Sequence, residues 1–195
     1  MILWTIQSPR AVAALERRGV LLADHGAVEP SFRPAYAWMA GQMSRRIGSS
    51  PTGARPLWAW QAWTAKHPRP DLRSTGHLPR GHRGARIAFI AEPSAIVLSD
   101  FFLWHYVLNY WYLPASLREG AAFEAEVRRS GLDVTSKPLP EPALHSRIEA
   151  SWDRIFELNT FIKGVTEGRA ARSIQATFWS LPLQAVQEIT WFTAK

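Results

Sequence analysis

The chain has 195 residues, 47% of them hydrophobic, and no cysteine. It is therefore long enough to bury a core without covalent staples, and disulfides, thiolate metal sites and cysteine nucleophiles are excluded. The net charge is +7, and it is uneven: residues 1–100 carry 13 Lys/Arg against 6 Asp/Glu, while residues 101–195 carry ten of each. A pI near 10.4 suits a polyanionic partner, and equally suits a basic protein that has none.

In chain order, Met1–Gln7 alternates, with Ile2, Trp4 and Ile6 on one side and Leu3, Thr5 and Gln7 on the other, the pattern of a half-buried strand. The apolar run before Gln7 is too short for a signal segment. Ser8 caps a helix with Pro9 at its first position, and Gly19 ends it. Val20–Ala23 reads as a short strand or an extended exit from the helix. A helix fits Arg33–Ile47, with Tyr36, Met39, Met43 and Ile47 on one face. Ser49–Arg55 is a loop. Leu57–Trp63 is a tryptophan-rich strand, with Trp58 and Trp60 facing away from Leu57, Ala59 and Trp63.

Lys66–Arg86 is rich in Pro, Gly and cations, and predicts an exposed basic loop. Arg86–Ala91 and Ile96–Leu98 read as strands. Ser99 or Asp100 caps a helix running to about Tyr112, before Pro114. Helices fit Leu117–Ser130 and Ser146–Phe161, with a proline-rich loop at Lys137–Pro142 between them. Ile174–Leu181 and Glu188–Thr193 close the chain as strands. The segment Phe101–Leu113 is apolar but broken by His105 and Asn109, and is too short to cross a bilayer. The expectation is a cytoplasmic protein with no membrane partner. Its expected fold class is α+β, a single compact domain over residues 1–195, with two small, mainly antiparallel sheets and several helices.

The most site-like constellation is Asp100, Trp104, His105 and Asn109, because Asp100/Trp104 and His105/Asn109 are each i, i+4 neighbours on a helix. Asp100 equally serves as a cap, and His105 as a hydrogen-bonded boundary residue. Gln7, Gln175 and Thr177 sit on strands and converge in one cleft if those strands are adjacent. Trp58, Trp60 and Trp63 offer stacking faces, or core packing. His67, His77 and His82 lie in a Gly/Pro loop without a carboxylate cluster, which is no metal pattern. Glu149 and Asp153 read as a solvated helix face. No P-loop, G-x-G-x-x-G, H-E-x-x-H or G-x-S-x-G is present.

Three stretches carry a resemblance: Leu3-Trp4-Thr5-Ile6-Gln7; Leu98-Ser99-Asp100-Phe101 with Trp104-His105 and Val107-Leu108-Asn109-Tyr110-Trp111-Tyr112; and Gln175-Ala176-Thr177-Phe178-Trp179. Together they resemble an uncharacterised bacterial domain family of unknown function. More distantly, the first strand, the helix ending in glycine and the late Gln-Ala-x strand are similar to ADP-ribosyltransferase-like domains. That resemblance implies NAD held between two small sheets. It also implies a glutamate where this chain has Thr177, so the group that would stabilise an oxocarbenium-like centre is missing. Two functions are therefore carried forward, with a protein-interaction domain as a third. One is a nucleotide- or NAD-type pocket using Gln7, Trp58, Trp60, Asp100, Trp104, His105, Asn109, Gln175 and Thr177. The other is RNA or DNA binding through Lys66, Arg69, Arg73, Arg80 and Arg83 with the nearby tryptophans.

Overall fold

The computed structural model describes residues 1–23, 28–50, 53–64, 66–160 and 172–195. These form an α+β fold with five α-helices, a six-stranded, mainly antiparallel sheet and a two-stranded sheet. The chain divides into two compact units, the first comprising Met1–Leu98 and Ser173–Lys195, the second Ser99–Arg172.

The first unit holds the sheet. Strand β1 (Ile2–Gln7) pairs antiparallel with β3 (Leu57–Ala62) on one side and β4 (Arg83–Ile90) on the other. β3 continues to β6 (Ile174–Phe178), and β4 to β8 (Val186–Thr193). With β5 (Val97–Asp100) the order is β5-β6-β3-β1-β4-β8. Two-residue strands β2 (Val20–Leu21) and β7 (Leu181–Pro182) make the small sheet.

The period-2 pattern sets the two faces. Leu3, Leu57, Ala59, Ile87, Ala176 and Phe178 belong to one buried cluster, joined by Val12 and Leu15 of helix α1 (Pro9–Arg18). Each of those two helix side chains contributes roughly 1.5–3 kcal/mol by leaving water. Helix α1 starts as its sequence dictates: the Ser8 hydroxyl accepts the Ala11 N–H at 3.2 Å, Pro9 opens the first turn, and Gly19 closes the helix at φ +70°. On the opposite face of the sheet, Thr177 meets Met39 of helix α2 (Arg33–Ile47), and Tyr36 of the same helix packs edge-on against Trp58 at 5.6 Å.

The second unit is helical, with α3 (Phe101–Leu108), α4 (Leu117–Arg129) and α5 (Pro142–Ser151), followed by a 3-10 segment at Trp152–Phe156. Helix α3 stops four residues short of the expected Tyr112. Asn109 caps it, Tyr110 turns to φ +57°, and the Trp111 N–H reaches back to the Tyr106 carbonyl at 2.8 Å. The helix expected at Ser146–Phe161 begins earlier, with Pro142 in its first turn, and tightens to 3-10 geometry at Trp152; residue 161 lies outside the described residues, as do 51 and 52 of the expected 49–55 loop. The basic segment runs as a loop only to His82: β4 begins at Arg83, which is still exposed, and Arg86 is buried, donating to the Pro70 carbonyl at 2.9 Å. No helix among the described residues is long and apolar enough to cross a membrane.

Candidate functional site

Among the described residues, a large cavity lies in each unit. In the first unit, a cavity of about 700 Å³ opens where β1 ends, α1 begins and β3 starts. Four arginines line it: Arg10, Arg17 and Arg18 from α1, and Arg55 from just before β3. Among the described residues that line it there is no Asp or Glu. Gln7, Ser8, Tyr36 and Trp58 complete its polar and aromatic wall. The helix supplies three cations because Arg10, Ala14 and Arg17 recur at i, i+4, i+7, away from the buried Val12 and Leu15. Gln7 is held in place by its own strand: its Nε2 donates to the Thr5 hydroxyl at 2.8 Å, and that hydroxyl donates to the Trp58 carbonyl at 2.7 Å. Burial pushes the Tyr36 hydroxyl above its ordinary pKa, so the ring stays neutral beside the arginines. Guanidinium groups converging without a carboxylate suit a multiply charged anion.

Of the residues singled out in sequence, Gln7 and Trp58 meet at this cavity. Gln175 does not join them. Trp4 pairs with Trp60, and Trp60 with Gln175, so those three stand on one face of the sheet; Gln7, three residues from Trp4, stands on the other. The strands share a sheet as expected, but Gln7 and Gln175 do not open on a common cleft. Thr177 is fully buried, and its hydroxyl donates to the Val97 carbonyl at 3.3 Å. Trp60 is half-buried beside Gln175 in the pairing register.

The second-unit constellation is built inward upon its own helix. Asp100 caps α3, accepting from the N–H groups of Phe102 (2.8 Å) and Leu103 (3.0 Å). Its other oxygen lies 3.4 Å from Arg172 Nε, both side chains being at most 3% exposed. Arg172 also donates to the carbonyls of Glu157 and Thr160. Trp104 is buried. His105 Nδ1 lies 3.0 Å from the Phe101 carbonyl, and Asn109 Nδ2 donates to the His105 carbonyl at 2.8 Å. These contacts are cap, core and helix-end contacts.

The basic segment is stitched down as well as charged. Arg73 forks onto Asp71 (Nη2–Oδ2 2.8 Å), which holds that carboxyl well below the usual carboxylate range. His77 packs between Trp63 and Phe192. Lys66, Arg69, Arg80 and Arg83 are exposed, and the Arg83 guanidinium lies 4.6 Å over the ring of Trp191. Among the described residues no three His, Asp or Glu side chains gather as a metal site.

Sequence reasoning missed Arg10, Arg17, Arg18 and Arg55. Their signal was present in the basic excess of the first half and in the i, i+7 spacing of Arg10 and Arg17 opposite an apolar stripe. It also missed the group around Tyr110 in the second unit, whose partners lie 29 and 35 residues away.

Fold and cavities define an α+β protein with an arginine-lined pocket beside its main sheet. The family model of a domain of unknown function, DUF3841, matches residues 2–187, and the chain belongs to that family. The resemblance drawn from the Leu3–Gln7, Leu98–Tyr112 and Gln175–Trp179 motifs is thereby met. No curated protein and no solved structure matches. The more distant likeness to ADP-ribosyltransferase-like domains finds no counterpart in these comparisons, and Thr177 in its buried setting offers no carboxylate to such chemistry.

Proposed function

We propose that the chain binds a nucleotide in the arginine-lined pocket of the first unit. The observation that carries this reading is the convergence of Arg10, Arg17, Arg18 and Arg55 with the rings of Tyr36 and Trp58 in one cavity whose described lining residues include no carboxylate. Guanidinium groups bind phosphate oxygens two at a time, and an aromatic ring accepts any base face. Gln7, at the end of β1, is placed to hydrogen-bond a base or ribose edge. NAD, with two phosphates, is one member of the ligand class. A ligand that binds only the folded state raises apparent stability by RT ln(1 + [L]/Kd), about 2.7 kcal/mol at a hundredfold excess over Kd. ATP, ADP or NAD therefore raises the melting temperature, adenosine does so far less, and the Arg17→Gln/Arg55→Gln variant loses the shift. Equal stabilisation by adenosine, or none by any of these at millimolar concentration, overturns the reading.

A second reading, single-stranded nucleic acid, is favoured by Arg83 stacked over Trp191, which is 41% exposed, with Lys66, Arg69 and Arg80 exposed nearby in sequence. Replacing Arg69, Arg73, Arg80 and Arg83 with glutamine then weakens binding to every sequence. Each lost phosphate contact flattens the log–log salt slope by about 0.7–0.9. Arg73, already paired with Asp71, contributes least. RNA affinity lost in that variant and kept in Arg17→Gln/Arg55→Gln places nucleic acid first.

A further inference from the structure

The second unit holds a cavity of about 650 Å³ of opposite character. Tyr106, Trp111, Tyr112 and Phe123 give it aromatic walls, and the charged residues among its described lining, Glu124 and Lys137, are of opposite sign. Tyr110 lies at this wall in the left-handed conformation, φ +57°, at a helix end where glycine is the usual residue. A tyrosine there costs backbone energy that a glycine avoids, so its side chain has a use that holds it in place. The Leu139 N–H donates to the Tyr110 oxygen at 3.1 Å, and that oxygen lies 2.5 Å from His145 Nδ1. In the neutral imidazole that carries its proton on Nε2, the ring nitrogen 3.7 Å from Glu149 Oε1, Nδ1 accepts from the Tyr110 O–H. Burial, the largest influence, raises the Tyr110 pKa, so the hydroxyl keeps its proton.

This inventory defines a ligand. With the imidazole in that tautomer, the phenolic oxygen has its proton committed to His145 and one lone pair to Leu139, which leaves a single acceptor position. A neutral charge balance and aromatic walls select an uncharged planar molecule, and the remaining lone pair selects one that brings its own donor. We infer that the second unit carries a separate binding site for a neutral hydroxyaryl compound, stacked on the aromatic wall with its hydroxyl donating to Tyr110. The donors then run in one direction, from ligand hydroxyl to Tyr110 to His145, and Tyr110 positions the ligand through that bond. The site is independent of the nucleotide pocket.

The test is calorimetric titration of the full chain with two probes that differ in the donor alone, 2-naphthol and 2-methoxynaphthalene. A hydrogen bond made in a desolvated pocket makes 2-naphthol bind about five- to tenfold more tightly. Tyr110→Phe, which keeps the ring and the backbone requirement, brings the two probes to one affinity, while Arg17→Gln leaves the preference unchanged. Because the probes are compared first on the unaltered protein, a variant that fails to fold does not decide the result. Equal affinity of the two probes for the unaltered chain overturns the proposal, as does a preference that survives Tyr110→Phe. Absence of binding by either probe also overturns it, including the case in which the aromatic wall is taken up by self-association of the chain seen in sedimentation.

Discussion

At Gly84 a single added methyl group has no room. A Cβ there would lie 2.4 Å from Leu78 Cδ1 and 3.0 Å from the ring of Phe192. Leu78 can swing aside, but Phe192 already packs against His77, so relief comes only by loosening the basic segment from β4. Gly84→Ala is expected to lower stability by about 1–3 kcal/mol, the usual cost of overpacking. Urea denaturation measures it, and Leu78→Ala in the same chain should return part of the loss. No loss at all would show that the loop yields freely there. The same residue explains why the 66–86 segment is less loop-like than its composition suggests: prolines, glycines and cations describe solvated chain, whereas Leu78, His77 and the close approach at Gly84 tie it to the sheet. At Tyr110 residue type and backbone conflict in the opposite sense, a large side chain standing where a small one is conformationally cheaper.

Between α3 and α4, one carboxylate organises a whole connection. Glu119, in the first turn of α4, accepts from the Tyr112 hydroxyl, from the Ala115 N–H at 2.6 Å and from Arg154 Nη2 at 3.2 Å; Arg154 in turn donates to the Leu113 carbonyl at 2.6 Å. Burial pushes the Glu119 pKa up, but the Tyr112 and Ala115 hydrogen bonds and the Arg154 charge outweigh it, and the net shift is downward. A carboxyl with a lowered folded-state pKa contributes stability above its unfolded value, roughly 4.3. That contribution is lost as pH falls through the folded value. The urea midpoint is therefore expected to drop on acidification through and below pH ~4. Glu119→Gln should cost about 1 kcal/mol at neutral pH, since the group is partly exposed, and should shrink the acid-side drop. An acid limb unchanged in the variant would remove Glu119 from the account. At this scale the sequence was legible where a signal is local. Alternation gave β1, and Ser8, Pro9 and Gly19 framed α1. Ser99 or Asp100 was expected to cap α3, and Asp100 does. What sequence did not show depends on partners far along the chain. The Trp60–Gln175 register puts Gln175 on the face away from Gln7, and the Tyr110 bonds to Leu139 and His145 end α3 early. Arg55 joins the α1 arginines only once β3 is in place.

The course of the whole chain makes the second unit an insertion: the chain leaves the first unit within β5, between Leu98 and Ser99, and re-enters it at Ser173. Asp100 and Arg172, the second residue and the last of the inserted unit, form the buried ion pair, so its two ends are fastened to each other. Arg172 further fixes the carbonyls of Glu157 and Thr160, while Asp100 caps α3, so the pair joins the last described stretch before the return to the first helix after the departure. A buried pair of this kind has a desolvation cost close to its attraction, but removing one member strands the other's charge, at about 3–5 kcal/mol. Because β5 has residues in both units, we propose that the chain unfolds in one cooperative step, as a single domain does. Arg172→Ala should lower stability by that amount, and Asp100→Ala by somewhat more, since it also removes the cap, worth about 1 kcal/mol. Replacing both residues with apolar ones of similar volume, Asp100→Leu and Arg172→Met, should recover much of the charge penalty but not the cap. Differential scanning calorimetry reads all four proteins. The unaltered chain gives one transition whose calorimetric and van't Hoff enthalpies agree, and Arg172→Ala lowers or splits it. Two resolved transitions in the unaltered chain would show that the units fold separately. A single transition untouched by Arg172→Ala would show that the ion pair does not hold the inserted unit closed.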